Sequence, residues 1–512
     1  MTDRDLERRR FLEKAKPGAC VPVARVFPSD LLTPVMVFSR MRASGREAFL
    51  LESVEGGETL ARYTFLGAGP VARWTLRDDA VEVEGGGPAI PVAGPPFATL
   101  ERMVRRRPFF SDPDLPPLAA GAVGYLAYDA VRVFEEIPDR HGREGTIPDG
   151  LFLLFDAVAA FDHPRQRLFL VTTLDLTEAA DAGAEADRAI ERLNRLEALA
   201  FATGEGAVSG AAGSRTRSGD EAFAPVTSRE RFLEAVGVVK EAIASGEVYQ
   251  CVVSQRWTAR LGLDPFDVYR ALRALNPSPY LYYLETREAS ILGSSPEMLV
   301  RCRDLDVETR PIAGTAPRGA TAEADARLAE ALLADPKERA EHVMLVDLAR
   351  NDLGRVCEIG SVAVPRYAAI EKFSHVQHLV SEVRGRLAAG RTAADALAAC
   401  FPAGTLTGAP KIRAMELIDA LEARRRGVYG GAIGYLDAAG NCDMAIAIRT
   451  AVVEQGLWRV QAGAGIVADS VPEKEYAEAE SKAAAIFRAI ELAREWFPAS
   501  ARDSRLTAHG AP

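Results

Sequence analysis

Cysteine and histidine are scarce in this chain. It has six cysteines and six histidines among 512 residues, and no two cysteines form a Cys-x-x-Cys pair. The pattern indicates neither a disulfide framework nor a zinc site, and it fits a protein of the reducing cytoplasm. The residues after Met1 are charged, and no apolar run approaches the roughly 20 residues of a membrane span. We therefore expect a soluble, cytoplasmic protein that is not exported and has no membrane partner.

An excess of basic residues is also missing. The chain has 62 Lys and Arg against 72 Asp and Glu, so its formal net charge is −10. This balance argues against nucleic acid as a partner, because binding phosphates requires a basic surface. A small anionic substrate remains compatible with it, since a local pocket can oppose the overall sign.

The hydrophobic pattern changes along the chain. Residues 1–200 predict mainly strands, residues 201–228 are rich in Gly, Ser and Ala and predict a flexible linker, and residues 229–490 alternate long helices with strands. Residues 491–512 form a C-terminal tail. Successive strands without regular intervening helices favour antiparallel sheets over a doubly wound fold. The apolar runs Leu151 to Phe161 and Met444 to Val453 each predict one strand, and we expect an α+β protein.

Two pairs of carboxylates stand on predicted helices. Glu338 and Glu341 lie in the helix predicted from Pro336 to Asp352, and Glu475 and Glu478 in the one from Pro472 to Trp496. Each pair shares a helix face, where like charges repel. A shared Mg²⁺ would remove that repulsion. The alternative is a structural role, since Glu338 fits a capping box with Asp335 and Glu475 lies in a first helical turn.

Three loops rich in Gly and Thr accompany these helices. Gly314-Thr315 ends a strand, Gly404 to Lys411 leads into a helix, and Gly463-Ala464-Gly465 ends another strand. Such loops offer backbone N–H groups and hydroxyls to an anion. Taken singly, each is more typical of an ordinary turn.

Taken together, these segments resemble the chorismate-utilising enzymes, most closely the anthranilate synthase component I family. The similar stretches cover roughly residues 30 to 490 and occur in the family's order. They are Leu50 to Ser53, Gly124-Tyr125, Asn276 to Tyr280, Ser295-Pro296-Glu297, Pro311 to Thr315, Glu341 to Leu348, Arg350-Asn351-Asp352, Val376-Gln377-His378, Gly404 to Lys411, Gly434-Tyr435, Ile448-Arg449-Thr450 and Gly463 to Gly465. The resemblance implies large, mainly antiparallel sheets packed face to face with helices outside, residues 1–200 as the tryptophan-pocket side and residues 229–490 as the chorismate-binding catalytic domain.

The resemblance also implies roles for individual residues. Mg²⁺ would be held mainly by Glu341 and Glu478, with Glu338 and Glu475 close by, and would bind the ring carboxylate of chorismate. Glu297 corresponds to the general acid, Thr405 to a group that assists it, and His375 to the histidine of the later elimination. The implied substrate-binding residues are Gly314, Thr315, Tyr429, Arg449, Gly463, Ala464, Gly465 and Lys482, with Arg449 suited to a carboxylate.

Two uncharged residues bear on the product. Gln250 stands where relatives that add water carry a lysine base, and an amide cannot activate water in that way. Ala313 stands where aminodeoxychorismate synthases carry a nucleophilic lysine. Both favour direct attack by ammonia and formation of anthranilate. The alternatives are aminodeoxychorismate synthase component I and a catalytically silent tryptophan-sensing subunit.

The resemblance implies a regulator and a partner as well. Glu52, Ser53, Pro279, Tyr280 and Leu281 correspond to a tryptophan pocket away from the active site. The family often has Met where this chain has Leu281, and Cys where it has Ala445, so the affinity is open. Because no Cys lies in a Gly-x-Cys-x-Gly motif, glutamine would require a separate glutamine amidotransferase subunit, in a heterotetramer of two large and two small subunits.

Overall fold

The computed structural model describes residues 3–53, 62–85, 96–105, 108–177, 181–202, 221–372 and 376–497. These residues form eleven α-helices. In chain order the helices are α1 (Asp3–Lys14), α2 (Pro34–Arg42), α3 (Pro96–Val104), α4 (Ala182–Ala200), α5 (Arg229–Ala244), α6 (Pro265–Leu275), α7 (Ala322–Ala334), α8 (Pro336–Gly354), α9 (Ala393–Cys400), α10 (Lys411–Leu421) and α11 (Pro472–Trp496).

The same residues form 23 strands. They are β1 (Cys20–Pro28), β2 (Ala48–Glu52), β3 (Tyr63–Ala68), β4 (Ala72–Arg77), β5 (Ala80–Gly85), β6 (Gly121–Leu126), β7 (Gly150–Phe155), β8 (Ala157–Asp162), β9 (Arg167–Asp175), β10 (Ala224–Pro225), β11 (Gln250–Arg260), β12 (Tyr280–Glu285), β13 (Ser290–Ser295), β14 (Met298–Arg303), β15 (Asp306–Thr309), β16 (Ile312–Pro317), β17 (Ala363–Lys372), β18 (Val376–Arg386), β19 (Gly408–Ala409), β20 (Ala432–Asp437), β21 (Cys442–Ile446), β22 (Thr450–Glu454) and β23 (Leu457–Ile466).

The strands build two large antiparallel sheets, as expected. The first has twelve strands in the order β1-β9-β8-β3-β2-β12-β13-β22-β23-β11-β10, with β19 against β11. The second has eleven, in the order β16-β18-β15-β14-β21-β20-β6-β7-β4-β5, with β17 against β18. Each sheet draws strands from both sides of the predicted linker, for example β2 beside β12 and β6 beside β20. Residues 203–220 of that linker and 498–512 of the tail lie outside the described residues.

Aromatic side chains fill the space between the sheets. Phe49 of β2 contacts Phe155 of β7 at a centroid distance of 4.7 Å, and Phe65 of β3 contacts Tyr435 of β20 at 5.9 Å. These pairs join one sheet to the other, because β2 and β3 belong to the first and β7 and β20 to the second. Face-to-face packing of this kind is the way two half-apolar sheets bury their inner faces.

The helices of interest lie outside this sandwich and begin where the sequence predicts. Helix α8 starts at Pro336, and the Asp335 side chain accepts hydrogen bonds from Lys337 N (2.8 Å) and Glu338 N (3.2 Å). Helix α11 runs over the predicted range, and its Phe487 ring packs 5.9 Å from Trp257 of β11. Each helix therefore has one face on the protein and another free to carry the carboxylates.

Two of the predicted strands are wrong. The run Leu151 to Phe161 forms β7 in one sheet and β8 in the other, and the run Met444 to Val453 forms β21 and β22 in the same manner. Both faces of these strands are covered, so the apolar pattern continues through the crossing without a turn signal. Between β21 and β22 the chain passes through Arg449 in a left-handed conformation with φ of 48°.

Strand β20 begins at Ala432, directly after residues that form a turn. In the described part of the chain, no helix is long and apolar enough to cross a membrane.

Candidate active site

A carboxylic acid and a hydroxyl meet at the start of β14. The Thr405 hydroxyl donates a 2.9 Å hydrogen bond to Glu297 Oε1. Thr405 lies in the short turn Gly404–Leu406, and Glu297 connects β13 to β14. Burial raises the pKa of Glu297 to about 7, and the Thr405 hydrogen bond and the charges of Lys482 and Arg449 oppose that rise. A carboxyl group with this pKa can be protonated near neutral pH and can act as an acid.

Arg449 places a cation beside this acid. Its guanidinium takes part in no ion pair among the residues that the structure describes. Burial lowers the pKa of Arg449, and the charge of Glu297 opposes that shift. A half-buried guanidinium with no carboxylate partner among the described residues is suited to bind a carboxylate supplied by a ligand.

Strand β23 forms another wall. Gly463, Ala464 and Gly465 pair with Ser254, Val253 and Val252 of β11. A Cβ at Gly465 would lie 2.4 Å from Gln250 Nε2, so a larger residue there would have to displace that amide. Lys482 of α11 donates to the Gly463 carbonyl at 3.0 Å and forms a 2.7 Å ion pair with Glu478. Lys482 therefore links the glycine segment to the carboxylates.

Gly314 and Thr315 lie inside β16 and not at a strand end as predicted, and Gly314 stands beside Glu338 of α8. Gly314 has φ of 64°, and a Cβ there would lie 3.0 Å from Glu338 Oε2. His378 Nδ1 lies 2.9 Å from the Gly314 carbonyl and 3.1 Å from Thr315 Oγ1. The positive φ and the close carboxylate together require glycine at this position.

The four carboxylates of α8 and α11 influence one another across the cleft. Burial raises the pKa of Glu338, Glu341 and Glu475, and the nearby charge of Glu478 raises all three further. Such mutual repulsion, with oxygen donors only, fits a hard divalent cation. As the described side chains lie, however, no group of three His, Cys, Asp or Glu residues is close enough to hold a metal ion. The donor set fits Mg²⁺ chemically, and binding would require the side chains to converge.

Comparison with known proteins accords with this geometry. The sequence matches the family model of chorismate binding enzymes over residues 46–488. It is 45% identical over 494 residues to "Anthranilate synthase component 1" of Mycolicibacterium smegmatis, covering 95% of this chain and 94% of that protein. The structure is similar to anthranilate synthase component I from Streptococcus pneumoniae, with a TM-score of 0.74, 35% identity, and coverage of 90% and 99% of the two chains.

The chain belongs to the chorismate binding enzyme family. The resemblance drawn from the sequence motifs is thereby confirmed. The fold alone is shared with the menaquinone-specific isochorismate synthase from Escherichia coli, which is 21% identical with a TM-score of 0.67 and coverage of 95% and 99%.

In this chorismate binding enzyme, Gln250 lies beside Gly465, and Ala313 precedes Gly314 in β16. Gln250 is buried at 4% exposure, and its Oε1 has no hydrogen-bond partner among the described residues. Ala313 is buried in β16 opposite Leu379. Neither position supplies an amine.

Of the remaining candidate residues, the structure describes Tyr429 but not His375. Tyr429 is buried in the turn before β20, with the Arg426 guanidinium 5.6 Å from its ring. His375 lies outside the described residues, so its predicted role stays a prediction.

Sequence reasoning missed the buried ion pair of Glu422 and Arg426. The only signal was the run Arg424-Arg425-Arg426, which resembles an exposed basic surface.

A separate cavity lies between the sheets of this chorismate binding enzyme. It contains all five residues expected to form the tryptophan pocket, since Glu52 of β2 lies directly opposite Leu281 of β12. Glu52 Oε2 accepts hydrogen bonds from Tyr269 (2.6 Å) and Arg273 (2.8 Å). Its other oxygen, Oε1, and the Ser53 hydroxyl are buried with no partner in the described chain. Glu52 Oε1 and the Ser53 hydroxyl are therefore available to form hydrogen bonds with a ligand.

Proposed function

We propose that this protein is the large subunit of an anthranilate synthase and converts chorismate and ammonia into anthranilate, pyruvate and water. The observation that supports this most is the acid Glu297, with a pKa of about 7, next to the unpaired guanidinium of Arg449. The relatives named anthranilate synthase component 1, at 42–46% identity, support the same product. The enzyme is then a lyase at the first step of tryptophan biosynthesis, in the cytoplasm.

In the proposed reaction, Arg449 binds the enolpyruvyl carboxylate and Tyr429, Gly314, Thr315 and the 463–465 segment hold the ring. Mg²⁺ on Glu341 and Glu478, with Glu338 and Glu475 near, would supply positive charge for the ring carboxylate. Lys482, which is paired with Glu478, adds a positive charge at the same edge. Without these charges, the carboxylates of the cleft would repel a dianionic substrate.

The chemistry assigned to this chain begins with proton transfer. Ammonia attacks ring carbon C2, both ring double bonds shift, to C1=C6 and C4=C5, and the C4–O bond breaks as Glu297 gives its proton to the departing hydroxyl, which leaves as water. The added nitrogen loses a proton. The C2 proton is then lost, with His375 the proposed base, and the C3–O bond breaks to release enolpyruvate, which becomes pyruvate on protonation. Hydroxide leaves poorly, so a protonated Glu297 accelerates the first step.

The buried alanine at position 313 favours this product. An enzyme that attacks with a lysine needs an amine at that point of β16, and the methyl group of Ala313 provides none. Ammonia can therefore react directly, and the glutamine amidotransferase subunit would supply it from glutamine. We also propose that tryptophan binds in the cavity beside Glu52 and inhibits the enzyme, with its ammonium group on the unpaired Oε1.

The decisive experiment incubates the purified chain with chorismate, Mg²⁺ and ammonium, with glutamine in a parallel sample. We expect a blue-fluorescent product that co-chromatographs with anthranilate, and an equal amount of pyruvate. Glutamine alone should give none. Formation of 4-amino-4-deoxychorismate would identify the alternative enzyme, and absence of any amino product would refute the proposal.

A further inference from the structure

Arg426 is a buried cation that joins three parts of the active site. Its side chain is 1% exposed. Nη1 donates a 2.6 Å hydrogen bond to the Leu406 carbonyl, and Nη2 donates a 2.8 Å hydrogen bond to the Val252 carbonyl of β11. The guanidinium lies 4.6 Å from the ring centroid of Tyr128 and 5.6 Å from that of Tyr429. One side chain thus contacts the threonine turn, the wall strand and a substrate-binding residue.

Glu422 neutralises the charge of Arg426 and also fixes the orientation of its guanidinium. Glu422 accepts from Arg426 Nε at 2.9 Å and from Nη2 at 2.6 Å. Glu422 Oε1 also accepts from the backbone N (2.9 Å) and hydroxyl (2.7 Å) of Ser254. A two-pronged ion pair held by a strand restricts the guanidinium to one direction. Lysine carries the same charge but lacks the planar fork.

The contact with Leu406 concerns the reaction directly. Leu406 follows Thr405 within a single helical turn of three residues, Gly404–Leu406. Thr405 in turn donates to Glu297. Displacing the Leu406 carbonyl therefore moves the hydroxyl that donates to the proton donor.

We propose that Arg426 is a positioning residue for Glu297, acting through Leu406 and Thr405. This proposal rests on the proposed function for the role of Glu297, but the contact chain exists independently of it. Glu297 is faced by other charged groups, which a substitution at Arg426 leaves in place: Lys482, Arg449, Arg310, and Asp352 with its partner Lys411.

The test compares Arg426→Lys, Thr405→Val and the double variant in the pH profile of kcat. The hydroxyl of Thr405 lowers the pKa of Glu297, so its removal should move the high-pH limb of the profile upward by about one pH unit. Arg426→Lys should move the limb in the same direction, and the double variant should move it no further than Thr405→Val alone. Arg413→Lys, at an exposed arginine of α10 paired with Glu247 and Glu416, is the matched control and should leave the limb unchanged.

A crystal structure of Arg426→Lys gives a readout that does not depend on activity. We expect the distance from Thr405 Oγ1 to Glu297 Oε1 to exceed hydrogen-bonding range in that variant. An unchanged distance and an unmoved limb would overturn the positioning role and leave Arg426 as a stabilising contact only. If the limb shifts of Arg426→Lys and Thr405→Val add in the double variant, that result would also overturn the positioning role. If the unaltered chain forms no anthranilate, the proposed function fails, whereas the distance still decides the positioning claim.

Discussion

The active-site cleft and the cavity beside Glu52 solve opposite electrostatic problems. In the cleft, burial and the charge of Glu478 raise the pKa of Glu338, Glu341 and Glu475, and the Arg449 guanidinium has no ion-pair partner in the described chain. In the cavity, a single buried carboxylate already has two donors and keeps one oxygen free. The cleft requires a cation for its carboxylates and an anion for Arg449, whereas the cavity requires a ligand with one hydrogen-bond donor and an apolar side chain. A dianion with Mg²⁺ suits the first, and an aromatic amino acid suits the second.

The two sites also differ in how the fold builds them. The cleft is assembled from helices α8 and α11, the turn that holds Thr405, and strands β16 and β23, while the cavity lies between paired strands of the sandwich. Separate construction predicts that changes in one site leave the ground-state properties of the other intact.

The largest expected effect is on the proton donor. Glu297→Gln keeps the shape and the Thr405 contact but removes the proton, and we expect kcat for anthranilate formation to fall about 10² to 10⁴-fold. Tryptophan binding by calorimetry should stay unchanged, because Glu297 is not one of the residues that line the cavity. A variant retaining half of the original kcat would exclude Glu297 as the acid.

The pH dependence of the same step is the second prediction. Burial raises the pKa of Glu297 to about 7, so its acid form is present below that pH and is lost above it. At a fixed concentration of neutral ammonia, kcat should fall about tenfold per pH unit above 7, or roughly a hundredfold from pH 7 to 9. Stopped assays across this range measure it. A rate that stays flat up to pH 9 contradicts a titrating acid at this position.

Glu341→Gln should weaken the binding of Mg²⁺ in the cleft. We expect the Mg²⁺ concentration for half-maximal activity to rise about 10 to 100-fold, because one charged ligand is lost. The matched control is Glu491→Gln on the exposed face of α11, where Glu491 pairs only with Arg488 among the described residues. Tryptophan inhibition should be the same in both variants. An unchanged Mg²⁺ dependence would remove Glu341 from the ligand set.

The cavity is tested by Glu52→Gln. Its unpaired oxygen would lose the charge that attracts an ammonium group, and the tryptophan concentration for half inhibition should rise about thirtyfold, which corresponds to roughly 2 kcal/mol. The kcat without tryptophan and the Mg²⁺ dependence should not change. Ser53→Ala, which deletes the other unpaired atom without altering charge, is the milder companion and should show a smaller shift. Loss of kcat in parallel with inhibition would contradict the separation of the two sites.

Sequence signals located the two helices that carry the carboxylates but could not show how the chain crosses between sheets. The helices with Glu338, Glu341, Glu475 and Glu478 begin at prolines with clear start signals, and the structure bears out both helices. The crossing at Arg449 was hidden, because the flanking strands are covered on both faces and the apolar run continues through it.

Buried ion pairs were equally invisible. Arg424, Arg425 and Arg426 are adjacent and alike in sequence, yet Arg424 is exposed while Arg426 is buried against Glu422. Which arginine turns inward depends on the carbonyls of Leu406 and Val252, far away in sequence. Such long-range partners follow from topology and not from local pattern.

The smallest expected effect concerns the cavity wall. Leu281 is buried beside Glu52, and Ala445 lines the same cavity. Leu281→Met conserves volume and Ala445→Cys adds one sulfur to a wall that already has open space. Each should shift the tryptophan concentration for half inhibition by less than about tenfold, since volume-conserving apolar changes typically cost under 1.5 kcal/mol. Inhibition curves at a fixed chorismate concentration measure the shift. If either change abolished inhibition while leaving kcat intact, the shape of the cavity wall would determine tryptophan binding more than the charge of Glu52 does. The cavity and the cleft would then differ mainly in packing and not in electrostatics.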